Sequence, residues 1–192
     1  MIKKIFKFLN QYELELSQQY WSIKEATTPA PDNASSVAPT ARGIYGECFS
    51  ETLLLSKKNL IEKTIGDVLL PTYSYARFYY HKGELKEHED RPACEISVTL
   101  NIFSDKDWAL WFVPLKNKKQ KPQSMVTKPG DAVIYEGCLY KHWRKPYQGE
   151  KCMQIFLHYV RADGAYTNHA KDGREYCGQL YKDYHKKVWG SS

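Results

Sequence analysis

His88-Glu89-Asp90-Arg91-Pro92-Ala93-Cys94-Glu95-Ile96-Ser97-Val98-Thr99-Leu100-Asn101-Ile102 is the stretch on which the reading of the chain turns. Its second half alternates strictly, with Ile96, Val98, Leu100 and Ile102 on one side and Ser97, Thr99 and Asn101 on the other. A period of two marks a β-strand with one apolar and one polar face. Its first half puts an imidazole and a carboxylate at i and i+2. Extended chain projects such a pair to one side, so His88 and Asp90 can converge on one ion.

The flanking sequence supplies further strands. Tyr73 to Tyr80 is rich in aromatic residues and ends on a Lys82-Gly83-Glu84 turn. Downstream, Trp108–Val113, Ala132–Tyr135 (entered through the turn Lys128-Pro129-Gly130-Asp131) and Cys152–Val160 read as strands. Helices are expected only near the start. Ile2, Ile5, Phe6, Leu9, Leu16 and Tyr20 have near-helical spacing. Ser56 can cap a second helix to Leu69, with Leu60, Ile61, Ile65, Val68 and Leu69 on one face. Three prolines make residues 27–41 a loop. The expected fold is mainly β with helical buttresses, a jelly-roll or cupin-like double-stranded β-helix. The expected organisation is one domain over 1–192: an N-terminal helix over 1–26, a linker over 27–43, a core over 44–162 with its supporting helix 56–69, and an extension over 163–192.

Composition narrows the function classes. With 192 residues the chain can bury one proper core, and 15 Tyr and 5 Trp suit a β-rich interior. No apolar run approaches the ~18 residues of a membrane span. Met1 to Leu9 lacks the apolar centre and cleavage site of a signal peptide. Cys48, Cys94, Cys138, Cys152 and Cys177 are odd in number and form no CxxC pair, which argues against disulfides or structural zinc and for a reducing cytoplasm. The net charge of +6 owes much to Lys116-Asn117-Lys118-Lys119-Gln120-Lys121. The adopted reading is a solvated loop between strands; contact with nucleic acid or another anion is the rival. No membrane partner is expected.

His142, beyond the Ala132–Tyr135 strand, offers a third ligand. Two histidines and one carboxylate on one face leave three positions open, which suits Fe(II) binding an organic cosubstrate and O₂ together. His-x-Asp is common by chance, and a lone histidine is more often a surface or core residue. The surroundings therefore carry the weight. Lys151 stands at the mouth of the last strand, where a cation can pair with the far carboxylate of a chelating dicarboxylate; Arg144 competes for that role. The Ser97, Thr99 and Asn101 row lines either a wet pocket or a solvent face. Tyr75, Arg77 and Tyr79 share parity, so Tyr79 can donate its hydroxyl to the same carboxylate or simply pack.

The segment Tyr75-Ala76-Arg77-Phe78-Tyr79 … His88-Glu89-Asp90 … Ser97-Val98-Thr99-Leu100 resembles the 2-oxoglutarate/Fe(II)-dependent dioxygenases, within them the prolyl-hydroxylase-like branch with its small bacterial and viral members. Lys128-Pro129-Gly130-Asp131-Ala132-Val133-Ile134-Tyr135-Glu136-Gly137 … His142-Trp143-Arg144-Lys145-Pro146 … Lys151 … Gln154-Ile155-Phe156-Leu157-His158-Tyr159 is similar to their distal-histidine segment. The likeness spans about residues 56–162, and its motif order is far more specific than His-x-Asp alone. It implies His88, Asp90 and His142 as iron ligands, Lys151 as the residue binding the C5 carboxylate of 2-oxoglutarate, and Tyr79 and Thr99 as supports. Where many relatives have small residues, this chain has Asp107-Trp108-Ala109-Leu110-Trp111. Arg91, Trp108, Trp111, Trp143 and Arg144 are candidates for the substrate mouth, over which residues 27–50 and 163–192 can fold. The implied reaction is hydroxylation of a protein or peptide side chain with release of succinate and CO₂. A small-molecule oxygenase, a non-catalytic cupin-like binding domain and a basic nucleic-acid module are the rivals.

Overall fold

The computed structural model describes residues 1–28, 36–117 and 119–178. Residues 29–35 of the expected linker, Lys118 of the basic run and residues 179–192 of the expected extension lie outside them. Ten strands are described: β1 Ile2–Ile5, β2 Arg42–Tyr45, β3 Leu69–Tyr80, β4 Leu85–His88, β5 Ile96–Ser104, β6 Leu110–Pro114, β7 Gln123–Met125, β8 Ala132–Tyr135, β9 Tyr140–Arg144 and β10 Lys151–Arg161. Among the described residues the two α-helices are α1 Gln11–Thr27 and α2 Cys48–Ile65. The strands form a six-stranded sheet in the order β1-β8-β5-β10-β3-β2 and a four-stranded sheet in the order β4-β9-β6-β7. All recorded pairings are antiparallel.

The alternation of β5 explains the layering. Ile96, Val98, Leu100 and Ile102 join Ile155 and Leu157 of β10 against Trp21 of α1 and Leu54 and Ile61 of α2. Ser97, Thr99 and Asn101 are almost wholly buried on the opposite face, towards the smaller sheet. Tyr79, Leu110, Phe112, Val133, Tyr135 and Phe156 fill much of the space between the sheets. The large sheet is thus covered by helices on one face and by the small sheet on the other, and the polar row lines an interior.

Both helix expectations need correction. Residues 2–5 form β1, with Ile2 opposite Tyr135 and Ile5 opposite Ala132. Asn10 then opens α1 with a capping box: its side chain accepts from the Glu13 N–H at 2.9 Å, and the Glu13 carboxylate accepts from the Asn10 N–H at 2.9 Å. Trp21 anchors the helix, while Leu16 is half exposed. The second helix starts at Cys48 rather than Ser56, because the Glu47 carboxylate accepts from the N–H of Phe49 at 2.8 Å and of Ser50 at 3.4 Å. Gly66, at φ 88°, ends it in the left-handed conformation that glycine adopts without strain. Leu69 therefore belongs to β3, and Val68 is exposed. The expected linker also ends earlier, since β2 begins at Arg42. Lys116, Lys119 and Lys121 are exposed in the β6–β7 connection, as a solvated loop requires. Among the described residues no helix is long and apolar enough to cross a membrane.

Candidate metal centre

His88 ends β4 and lies opposite His142 in the β4–β9 ladder. Asp90 follows in the link to the short helical turn Pro92–Cys94. One ligand atom from each of the three residues falls within 4.8 Å of the other two. Asp90 Oδ1 is 3.8 Å from His88 Nε2 and 3.7 Å from His142 Nε2. The orientation of both rings is fixed from behind. His88 Nδ1 lies 2.8 Å from the Lys86 carbonyl and His142 Nδ1 lies 3.3 Å from the Tyr140 carbonyl. A carbonyl only accepts, so each Nδ1 carries the proton and each Nε2 keeps its lone pair for the shared point. The Tyr135 hydroxyl stands 3.4 Å from His142 Nε2.

Burial pushes the His142 imidazole down to about 4, and burial together with the neighbouring His142 lowers His88. Neutral imidazole is the form that ligates a metal. His158, buried in the same region, is also lowered to about 4 by desolvation. An unfolded chain takes up protons on His142 and His158 between pH 6.5 and 4, whereas the folded one does not. The metal-free protein is therefore expected to melt at a lower temperature as pH falls through that interval. A melting temperature that stays level across it would contradict buried neutral imidazoles.

Gly137 closes the site from the β8–β9 connection. A Cβ there would overlap the Asp90 carboxylate and the Cys94 carbonyl. Gly137→Ala should push the carboxylate off the two Nε2 atoms and weaken Co(II) binding about tenfold, the scale of a lost outer-shell contact. Calorimetric titration of the folded variant checks this, and wild-type affinity would refute it.

A cavity of about 410 Å³ opens onto His88, Asp90 and His142; its walls include Tyr73, Tyr75, Arg77, Arg91, Phe156 and His158. Among the expected cosubstrate residues, Thr99 and Tyr79 are buried between the sheets. Thr99 donates to Gln154 Oε1 at 3.3 Å, and Tyr79 accepts from Arg77 Nη1 at 3.2 Å. Arg144 is buried beside them: it donates to the Trp108 carbonyl at 2.6 Å and lies 3.5 Å from Gln154 Oε1. Its Nε has no hydrogen-bond partner among the described residues. Lys151 is elsewhere. On β10 the side chains of Cys152, Gln154 and Phe156 point between the sheets, so Lys151 points to the helix side, where its Nζ pairs with Glu25 at 2.8 Å. The expected anion site at Lys151 is not part of the cavity.

The substrate-mouth candidates separate in the same way. Arg91 lies at the cavity wall, paired through both nitrogens with Asp172 at 2.7 and 2.8 Å. Asp172 also accepts from the Tyr45 hydroxyl at 2.6 Å, which ties the described part of the C-terminal segment to the rim. Trp108 is core, its Nε1 donating to the Lys145 carbonyl at 2.7 Å. Trp111 and Trp143 alternate with Phe112 and His142 and therefore face outwards. They form a cross-strand pair with ring centroids 6.3 Å apart on the outer face of the small sheet. Tyr135, Gly137 and His158 stand out by no pattern of their own in the sequence; Arg77 shows only its parity with Tyr79, and Ser97 only its place in the polar row.

No family model matches the sequence, and no curated protein matches it. Solved structures do. An oxidoreductase of the 2-oxoglutarate/Fe(II) oxygenase family from Burkholderia pseudomallei is similar at 14% identity and a TM-score of 0.65, covering 86% of this chain and 88% of that one. A Pseudomonas putida prolyl-4-hydroxylase matches at 12% identity and a TM-score of 0.63, covering 83% of this chain and 92% of that one. The non-haem α-ketoglutarate-dependent epimerase SnoN from nogalamycin biosynthesis matches at 12% identity and a TM-score of 0.69, covering 84% and 78%. At these identities the likeness concerns architecture: this chain has the jelly-roll fold of the 2-oxoglutarate/Fe(II) oxygenases.

Proposed function

We propose that the chain is one oxygenase domain, a 2-oxoglutarate- and Fe(II)-dependent dioxygenase that hydroxylates a protein or peptide side chain. The convergence of His88 Nε2, His142 Nε2 and Asp90 Oδ1, with both Nδ1 atoms committed to carbonyls, carries this reading. The donor set fits the metal: two neutral imidazoles and one carboxylate on one side of an open cavity leave coordination positions for other ligands. His88, Asp90 and His142 would hold Fe(II), which with 2-oxoglutarate and O₂ supplies oxidative decarboxylation to succinate and CO₂ coupled to hydroxylation of a C–H bond.

The remaining work falls to the walls. Arg77 is the cation best placed for the distal carboxylate of the cosubstrate, because it lines the cavity and lies over the rings of Tyr75 at 5.0 Å and Phe156 at 5.7 Å. Buried Gln154 lies opposite Arg77 in the β3–β10 ladder, and its Oε1 is shared by Thr99 and Arg144. Phe156, Leu110 and Val37 give the cavity apolar wall that limits water. A volume of about 410 Å³ accommodates a five-carbon dicarboxylate and one substrate side chain. The likeness to a prolyl-4-hydroxylase and the net charge of +6 favour a peptide, acidic in character. The likeness to SnoN keeps a small molecule as the second reading. The five cysteines stand as free thiols, which supports a reducing cytoplasm.

The test is mass spectrometry of peptide and metabolite panels incubated with protein, Fe(II), 2-oxoglutarate and O₂. A gain of one oxygen accompanied by succinate is expected. No Fe(II)-dependent succinate with any substrate would return the chain to a binding role.

A further inference from the structure

Behind the Asp90 carboxylate a hydrogen-bonded chain runs into the barrel wall. Ser97 Oγ lies 2.8 Å from Asp90 Oδ2, 3.1 Å from the Cys94 carbonyl and 3.0 Å from His158 Nδ1. Ser97 is fully buried and His158 nearly so. The serine has one proton to give, and both Asp90 and the Cys94 carbonyl only accept. His158 decides where that proton goes. A bare Nδ1 would compete for it, whereas an Nδ1–H donates to Ser97 Oγ and leaves the serine proton for the carboxylate side.

The imidazole is itself held still. The β3–β10 ladder slips by one residue here, so Thr72 and Tyr73 together oppose His158, a bulge that re-aims a side chain. The Tyr73 ring packs on the imidazole at 4.6 Å, and the Tyr73 hydroxyl is fixed in turn against Cys94 Sγ at 3.0 Å.

We propose that His158 and Ser97 are positioning residues for the metal-binding carboxylate: the His158 Nδ1–H orients the Ser97 hydroxyl, which engages Asp90 Oδ2 and leaves Oδ1 for the point shared with His88 and His142 Nε2. The inference rests on the metal-site reading above. Its consequence is that Asp90 offers one oxygen rather than two, which keeps coordination positions open for a chelating cosubstrate.

Co(II) titration of the metal-free protein tests it, followed by calorimetry and by the visible absorption of the bound ion. Ser97→Ala should weaken binding about tenfold or more, because the contact that aims Oδ1 is lost, and should alter the Co(II) spectrum, because the released carboxylate can turn to bind through both oxygens. His158→Leu should weaken binding several-fold, and His158→Asn, whose amide N–H falls near the place of Nδ1–H, should recover most of it. A purely structural role would instead lower thermal stability in all three variants without selective rescue by asparagine. Should His158→Leu not fold, His158→Gln fills the space with its amide displaced by one carbon and takes its place. Wild-type affinity and spectrum in folded Ser97→Ala, or equal affinity in the leucine (or glutamine) and asparagine variants, overturns the inference alone. A wild-type protein that binds no Co(II) overturns it together with the oxygenase reading.

Discussion

Asp90→Ala is expected to leave a folded protein that binds Co(II) or Fe(II) more than about 100-fold more weakly and forms no succinate above background. That loss exceeds the ~10–100-fold typical of an outer-shell partner, because in the proposed site Asp90 is itself a ligand. The physical reason is the geometry at Oδ1, which lies 3.8 and 3.7 Å from two imidazole nitrogens that share no other anionic neighbour in the three-residue group. Without it, two neutral nitrogens remain to hold a dication. The fold should survive. Asp90 contributes no side chain to the apolar clusters, and the β4–β9 pairing next to it rests on backbone bonds. Circular dichroism and a melting curve provide the control, with His142→Ala as the harsher companion. His142 is packed against Phe112 and Tyr135, with ring centroids 6.1 and 4.9 Å away, so its truncation also removes packing. Asp90→Ala with unchanged metal affinity would remove the metal centre from the account.

The three candidate ligands are legible because local period and motif order both point to them. His88 and Asp90 precede a strand that alternates cleanly, and His142 follows the Ala132–Tyr135 strand at the place the resemblance requires. What the alternation could not say was which face mattered. β5 sits inside the large sheet with both faces buried, so its polar row read equally well as solvent-facing until the small sheet was seen to cover it. β10 is harder still. Cys152, Met153, Ile155, Phe156, Leu157, Tyr159 and Val160 are apolar on both faces, as expected of a strand buried on both sides, and no period remains to set the parity of Lys151. A one-residue change in that parity exchanges the cavity for the helix side. Trp111 and Trp143 misled for a related reason, since aromatic residues occupy both faces of β6 and β9. At the N-terminus the apolar spacing of Ile2, Ile5, Phe6 and Leu9 fits a helix, but the Asn10 and Glu13 capping box, visible in the sequence, marks the true start.

The inward face of β3 carries the second large effect. Arg77→Ala should raise the KM for 2-oxoglutarate by roughly 10- to 100-fold, the range that corresponds to losing a charge-assisted contact of ~1.5–3 kcal/mol. Metal affinity should change little. Arg77 faces the interior opposite Gln154 in the β3–β10 ladder, lies over the Tyr75 and Phe156 rings, and is close enough for its charge to help depress His88. A guanidinium so placed can meet a carboxylate with two parallel N–H donors, whereas Arg77→Lys keeps the charge without the fork and should fall between. Lys151→Ala is the matched control: its Nζ pairs with Glu25 on a partly exposed surface, so its loss should cost at most ~1 kcal/mol of stability and leave the cosubstrate KM unchanged. Arg144 is a less clean probe. Wedged between the Trp108 carbonyl and Gln154, it should show its removal first as a lower melting temperature. Steady-state succinate formation in Arg77→Ala, Arg77→Lys and Lys151→Ala separates these roles. A raised KM in Lys151→Ala with none in Arg77→Ala would mean that the last strand presents its other face to the cavity, and the assignment of the anion site would move back to Lys151.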